Sequence, residues 1–397
     1  MNPPPLEPLI PLSKPTSARE QLTARIKLLA RHHGLSVTAV TSADPFTEVA
    51  EHLDRHIDAG HMAGMDWFTK ERGRFSSDVR NLQPTAQSIL SVALTYWPGP
   101  TDKPDDGVVR GRISRYAWGK DYHRVIKRRL KALHATIEED LGHRVEARLL
   151  VDTARIVERA VAARAGLGWY GKHSCLIVPG HGSWVLLGEI VLDLDLVSDA
   201  PLARNCGRCT ICLDQCPTGA IVAPYTVHAP SCISYLTIEL RETIPFELRP
   251  KMGDWVYGCD VCQEVCPYTG AAAVSDDADL QPRSLNNAYP SLHWLLTMTQ
   301  EEFAATYHGT PVPRTKRRGL ARNAAVALGN IGSAEDSPVL AGALAHHDEP
   351  LVRGHAAWAL GRIGGRAARA SLERSLRTDP DHSVREETSA ALFASGG

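Results

Sequence analysis

Apolar positions in the first half of the chain alternate between two spacings. Over residues 18–60 they predict a helix, a short strand in "LSVTAVTSA" (35–43) and a second helix in "PFTEVAEHLDRHIDAG" (45–60). "SILSVALTY" (88–96) is β-rich and stops at "WPGPTDKPDDG", a loop. "DYHRVIKRRLKALHATIEEDL" (121–141) has helical spacing and strong charge. "EARLLVDT" (146–153) predicts a strand, followed by a helix in "RIVERAVAARAG" (155–166). "CLIVPGHGSWVLLGEIVLDLDL" (175–196) predicts a hairpin with its turn at 180–183. Residues 18–200 therefore read as one mixed α/β domain.

The C-terminal part repeats. "LARNAAVALGNIG" (320–332), "VRGHAAWALGRIG" (352–364) and "VREETSAALFASG" (384–396) align at an offset of 32 residues. Ala324, Ala356 and Thr388 correspond, as do Leu328, Leu360 and Leu392. Such a period in Ala/Leu-rich helices ending in glycine predicts an α-solenoid of the HEAT type over 311–397, reached through connecting helices at 281–310. It serves either as a helical cap or as a concave binding surface.

Composition narrows the class. At 397 residues the chain exceeds one ordinary core. The formal net charge is −1, so nucleic-acid binding would need a local basic patch. No apolar run reaches the roughly 18 residues that span a bilayer. "MNPPPLEPLIPLSKP" lacks the pattern of a signal peptide or anchor, and residues 1–17 read as a disordered tail.

Eight of the nine cysteines fall between residues 206 and 266, within a module at 201–280. A disulfide framework belongs to short secreted chains, so metal and the cytoplasm are the expectation. "CGRCTICLDQCP" sets Cys206, Cys209, Cys212 and Cys216 at spacings of three, three and four before a proline. In two-cluster ferredoxins the cysteine before proline serves the other cluster. "GCDVCQEVCPYTG" supplies Cys259, Cys262 and Cys266, with Val256 where a further cysteine would complete the pattern. Cys232 fills that gap from a distance. The assignment is Cys206, Cys209, Cys212 and Cys266 for one [4Fe–4S] cluster, and Cys216, Cys232, Cys259 and Cys262 for the second. Zinc on four cysteines is the alternative. Cys175, outside the set, reads as a small core residue. "DRHIDAG" (54–60) is one residue too long for an Asp-x-His-x-x-Gly cobalamin loop and reads as a solvated helix face.

Several stretches together resemble the epoxyqueuosine reductase family, over nearly the whole chain. "GHMAGMDWF" is similar to its Gly-x-Met-x-Tyr stretch, and "RISRYAWGKDYH" to its Arg-Tyr-Ala-x-Gly-x-Asp-Tyr-His segment. "VDTARIVERAVAARAGLGWYGKHSCLI" resembles its most distinctive motif; "SCISYLTIELR" and "WVYGCDVCQEVCP" also fit. The resemblance implies an α+β multidomain chain: a nitroreductase-like cobalamin-binding α/β core, a two-[4Fe–4S] ferredoxin-like insert and a C-terminal HEAT-like α-solenoid. It implies reduction of the epoxide of epoxyqueuosine to the alkene of queuosine, at the first anticodon position of tRNAs for Asp, Asn, His and Tyr. Cobalamin would be base-off, with no protein histidine on cobalt. The electron donor would be external and of low potential, of flavodoxin or ferredoxin type, and the protein a monomer.

The resemblance also implies roles. Asp152 matches the proton donor, an acid at a strand end that burial would keep protonated; alternatively it caps a helix starting near Arg155. The family's small residue and proline are replaced by Ala154 and Arg155. Arg115, Tyr116, His173, Ser174 and Ser234 line up with segments around the corrin, as do Cys259 and Asp260 where the second cluster approaches it; each could equally be a surface charge or a satisfied core group. Arg314, Lys316, Arg317, Arg318 and Arg322, in a run without acids, are the expected tRNA contacts, or else a solvated linker. "IKRRLKAL" (126–133) reads as a plain helix surface. Two rivals are a reductive-dehalogenase-like corrinoid reductase of a small molecule and a ferredoxin-type electron carrier. The basic solenoid argues against the first; cobalamin uptake would exclude the second.

Overall fold

A computed structural model describes residues 17–62 and 64–394. The expected tail lies outside the described residues, apart from Ser17. That residue starts α1 (Ala18–His32) through a reciprocal capping box with Glu20. β1 (Val37–Ser42), α2 (Thr47–Asp58) and α3 (Lys70–Ser76) follow. β2 (Ser88–Thr95), β3 (Arg112–Ile113), α4 (Tyr122–Leu141), β4 (Ala147–Leu150) and α5 (Glu158–Arg164) come next. The short β5 (Trp169–Tyr170) and β6 (Leu176–Ile177) precede the long β7 (Val185–Leu192).

Four strands form an antiparallel sheet in the order β1-β2-β7-β4. Alternation along β2 assigns its two faces. Leu90, Val92 and Leu94 pack with Ile26, Ile126, Leu130 and Leu133 of α1 and α4. Ile89 joins Ile156 and Val161 on the α5 side, and Ala93 joins Ala162 there. Helices thus cover both faces, and the C-terminal end of β4 is left at their rim. α2 buries no side chain, so "DRHIDAG" is the solvated face expected of it.

The expected hairpin is corrected. Val178 and Gly182 do bridge at the turn. However, β6 pairs with β5, whereas β7 runs centrally between β2 and β4. The nearer turn through 171–175 captures β6 first, with the Gly171 amide donating to the Cys175 carbonyl.

The cysteine module contains α6 (Ile211–Asp214), the pair β8 (Ile221–Ala223) and β9 (Thr226–Val227), α7 (Ile233–Ile238), β10 (Trp255–Tyr257) and α8 (Val261–Glu264). β10 pairs in parallel with β3 and ties the module to the α/β core. After α9 (Leu285–Ala288), α10 (Leu292–Thr297) and α11 (Gln300–Tyr307) comes the solenoid: α12 (Lys316–Ile331), α13 (Ser337–His346), α14 (Pro350–Ile363), α15 (Arg366–Thr378) and α16 (His382–Ala394). Ala324, Leu328, Ala356, Leu360 and Thr388 of the repeat are fully buried. The repeated glycine explains the register. A Cβ on Gly329 would lie 2.5 Å from Trp358, and one on Gly361 2.8 Å from Ala391, so each lets the next repeat approach.

One apolar cluster runs from the module through the connecting helices into the repeats. Polar staples reinforce it. The fully buried Arg249 guanidinium forks onto Glu387 of α16 at 2.9 and 2.6 Å. Asn323 of α12 donates to the carbonyls of Thr237 and Val256 at 2.9 and 2.8 Å.

Candidate active site and cysteine clusters

The chain leaves β4 in a turn where Asp152 adopts φ +44°, a left-handed conformation rare for a non-glycine residue. α5 starts at Glu158 with Val157 as its cap, so Asp152 is not the cap of that helix. Its carboxylate instead faces the start of α4. Tyr122 Oη donates to Asp152 Oδ2 at 2.8 Å, and His123 Nε2 donates to the same oxygen at 2.8 Å. His123 Nδ1 donates to Asp121 at 2.7 Å, and Asp121 also caps α4 through the His123 amide. Asp152 keeps 51% of its side-chain surface open.

This geometry places the proton. Burial works against a charged His123, but the Asp121 and Asp152 carboxylates outweigh it and hold the imidazole up at about 9. Burial alone would raise Asp152; hydrogen bonds from His123 and Tyr122, with the imidazolium charge, hold it below the usual carboxylate range. The expectation of a carboxylic acid kept protonated by burial is therefore corrected. At neutral pH the couple is imidazolium and carboxylate, and its proton lies on the His123–Asp152 hydrogen bond. Behind Asp152 stands Glu158, raised to about 8 by burial and by the Asp152 charge.

All nine cysteines are free thiols. The cysteines act electrostatically on one another across the module. Cys212 lies by Cys206 and Cys209, and Cys266 by Cys206, Cys212 and Cys209. Cys259 lies by Cys232 and Cys216, and Cys262 by Cys259 and Cys232. Among the described residues, no three His, Cys, Asp or Glu close on a point as a single ion requires. Burial pushes the Cys259, Cys262 and Cys266 thiols up, so iron binding displaces protons. Val256 is fully buried in β10, under Gly111, which is why that position carries no ligand. Cys175 is half-buried beside Cys262, Cys232 and Cys212 rather than in an apolar core.

A wall of side chains joins the second cysteine set to the acid. The fully buried Asp260, next to Cys259, accepts from Ser114 Oγ, from the Arg115 amide at 2.9 Å and from the Arg115 guanidinium at 3.0 Å. Arg115 also binds Glu264 at 2.5 Å and lies among Trp97, Trp118 and Trp184. Arg115 and Asp260 thus bind each other, while the buried Arg115 Nε has no partner among the described residues. Tyr116 packs on both Tyr122 and Tyr257, with ring centroids 6.1 Å apart in each pair. Gly258, at φ +69°, comes so close to Ser114 that a Cβ would lie 2.5 Å from that side chain. Ser234 supports the Cys232 thiol through its amide and hydroxyl, at the ligand rather than beyond it.

His173 is 4% exposed, and burial lowers it to about 4, so it is neutral. The Cys175 amide donates to its Nδ1 at 3.1 Å, which leaves the proton on Nε2. That buried Nε2 has no partner among the described residues. It offers a hydrogen-bond donor, not a lone pair for a metal. Ser174 beside it is left-handed at φ +68°, its carbonyl held by Arg159 at 2.5 Å. An orphaned donor beside a strained turn suits a large polar ligand such as a corrin with amide side chains.

The basic run divides. Arg322 is fully buried; its guanidinium donates to the carbonyls of Leu236 at 2.6 Å and of Leu240 and Glu242 at 2.8 Å. It cannot reach a phosphate, and that expectation is corrected. Arg317 has only 13% of its side chain exposed and pairs with Asp348 at 2.5 Å. Arg314, Lys316 and Arg318 reach solvent, although Arg314 binds Glu239 and Arg318 lies 3.9 Å from Glu349. Arg314 also acts electrostatically on Asp152, so the run begins near that carboxylate. In "IKRRLKAL", Arg128 and Arg129 pair with Asp279 and Asp277, an ordinary helix surface.

Sequence reading missed Asp121, Tyr122, His123 and Glu158 as site residues. The signal was an acid immediately before a helix, followed by two proton-bearing side chains. "GLGWYG" (166–171) has Gly-x-Gly-x-x-Gly spacing, but it leaves helix α5 and enters strand β5. A dinucleotide site uses the reverse order, strand to helix.

Comparison with known proteins gives three family matches. A model described as "Epoxyqueuosine reductase QueG, DUF1730" matches residues 77–153. "4Fe-4S double cluster binding domain" matches 205–269, and "HEAT repeats" matches 316–392. The epoxyqueuosine reductase of Xanthomonas campestris is 38% identical over 344 residues, 86% of this chain and 96% of that protein. That of Escherichia coli K12 is 38% identical over 343 residues, 86% of this chain and 89% of its own. A crystal structure of epoxyqueuosine reductase with an epoxyqueuosine-modified tRNA-Tyr stem loop superposes at a TM-score of 0.89 and 32% identity, covering 95% of this chain and 99% of that one. The Bacillus subtilis enzyme, with its catalytic aspartate loop swung out of the active site, gives 0.88 and 31%, covering 94% and 99%.

Proposed function

From its membership of the epoxyqueuosine reductase family, to which this chain belongs, we propose that the protein reduces epoxyqueuosine to queuosine in the anticodon of tRNA. Family membership makes it an oxidoreductase. The observation that carries the reading on this chain is the continuous wall from Cys259 and Asp260 through Ser114–Tyr116 to Tyr122 and Asp152. It supports an electron-carrying module and a proton donor acting on one substrate.

The reaction consumes two electrons and two protons, and the epoxide oxygen leaves as water. Two [4Fe–4S] clusters held by the assigned cysteines would supply low-potential electrons, and cobalamin, when bound, would supply a reducing metal centre. His173 Nε2, the Ser174 turn and the close approach at Gly258 are the chain's means of holding the corrin. Tyr116, between Tyr257 and Tyr122, fixes the spacing from the cluster loop to the acid.

Asp152 is the group that meets the departing oxygen. Its proton comes from the imidazolium of His123 along their hydrogen bond, and Asp121 compensates by stabilising that cation until it is used. Tyr122 fixes the carboxylate. The loop carrying Asp152 joins β4 to α5, the kind of segment that is swung out in the Bacillus subtilis relative.

Arg314, Lys316 and Arg318 position phosphates of the anticodon arm without reading bases. The target base reaches Asp152 by leaving its stack. The electron donor is external and of flavodoxin or ferredoxin type. No helix among the described residues is long and apolar enough to cross a membrane.

Complementation tests the reading. In a cell lacking its own reductase, the wild-type chain restores queuosine in tRNA and the Asp152→Asn variant leaves epoxyqueuosine. Restoration by that variant excludes the acid role.

A further inference from the structure

We propose that Glu158, backed by Glu189, is the positioning residue that holds the Asp152 turn in its reactive conformation. The inference rests on the acid role of Asp152 and extends it one layer inward. Glu158 Oε1 accepts the amide proton of Asp152 itself, the residue at φ +44°. A left-handed non-glycine residue persists only where its surroundings over-determine it. Here the Tyr122 and His123 bonds grip the side chain, and Glu158 grips the backbone.

Glu189 lies directly beneath. It sits on the central strand β7, opposite Leu150 of β4 and Ser91 of β2, on the sheet face covered by α5. It is fully buried; Ser91 donates to its Oε1 at 3.4 Å, and its Oε2 has no partner among the described residues. Three carboxyl groups therefore step from the β4–α5 loop into the sheet. Like charges this close cannot all ionise. The charged groups facing Glu158 are Asp152 on its loop, Arg159 beside it on α5, His123 on α4 and Glu189 on β7. The one nearby cation bonded to a member of the stack is His123, on Asp152. The negative charge accordingly stays on Asp152, and Glu158 and Glu189 carry protons. Burial and the Asp152 charge put Glu158 at about 8, so at neutral pH it is a neutral acceptor. Ionised, it would set a second negative charge against Asp152 and push the turn outward.

The test uses reconstituted holoenzyme, with Glu158→Ala and Glu158→Gln. Two readouts are taken below and above pH 8: amide-exchange protection of residues 150–157, and single-turnover reduction of the modified tRNA. Glu158→Ala should lose the protection and on the order of 10²-fold in the chemical step, the effect of a displaced catalytic group. Glu158→Gln keeps the acceptor without the ionisation. It should restore protection and turnover, and should lack the wild type's loss of protection as pH rises past about 8. Wild-type protection in Glu158→Ala, or a Glu158→Gln variant as unprotected as Glu158→Ala, overturns the proposal. Protection reports the turn whether or not Asp152 is the acid, so the two readings fail separately.

Discussion

Replacing Asp152 by Asn should move the titration of His123, a residue 29 positions away in sequence. In the native site His123 stands at about 9 against an ordinary 6.5. At about 1.4 kcal/mol per unit, that rise is worth roughly 3 kcal/mol of net preference for the imidazolium, after burial has opposed it. Two carboxylates produce it, Asp121 at 2.7 Å and Asp152 at 2.8 Å. The Asn amide keeps the size of the carboxylate and removes one of the two charges. The His123 pKa should then fall on the order of 1–2 units, the usual effect of losing one adjacent opposite charge. Because the folded value lies above the unfolded one, the pairing stabilises the fold fully below about 6.5 and is lost as pH rises through about 9. The variant should therefore show a smaller loss of stability over that window. Imidazole-labelled protein followed by NMR across the pH range measures the shift directly. An unchanged His123 titration in Asp152→Asn would refute the placement of the proton on this couple.

Other variants probe the remaining parts. Cys232→Ala should leave about four irons per chain rather than about eight, since only one cubane loses a ligand; iron and sulfide analysis after anaerobic reconstitution reads this, and loss of both clusters would undo the assignment. Arg322→Met should destabilise by on the order of 3–5 kcal/mol in denaturant unfolding, because three buried carbonyls lose their donor. Its salt dependence of tRNA binding should stay wild type. Arg314, Lys316 and Arg318 together changed to Ala should weaken tRNA binding and lower the salt slope by about two to three. An unaltered slope would leave those three cations as ordinary surface.

How legible each part was follows from how local its cause is. The double-cluster module was readable because the Cys-x2-Cys spacings that mark it are a short-range property of the sequence. The solenoid was readable because Ala324, Ala356 and Thr388, with Leu328, Leu360 and Leu392, recur at the distance that packing demands. Asp152 was readable as a position but not as a protonation state. "LLVDT" tells of burial, whereas the sign of the shift comes from Tyr122 and His123, which the start of α4 folds back onto it. Arg322 misled because charge was counted without its helix. It lies within "GLARNAAVAL", whose residues are all buried in α12, and a cation there has to be satisfied from inside. The hairpin misled because alternation identifies strands but not their partners. Glu158 and Glu189 are unremarkable in sequence; only the register of β7 against β4 sets them in line behind the acid.

The central claim is that this chain takes the epoxide oxygen from epoxyqueuosine in tRNA by way of an iron–sulfur and corrinoid site. Its most direct test is nucleoside mass analysis of tRNA from a reductase-deficient cell, after incubation with anaerobically reconstituted protein, cobalamin and a low-potential donor. The expected result is loss of epoxyqueuosine with equal gain of a nucleoside one oxygen atom lighter, only when cobalamin is present. Unchanged epoxyqueuosine in protein that has taken up both clusters and cobalamin would contradict the account.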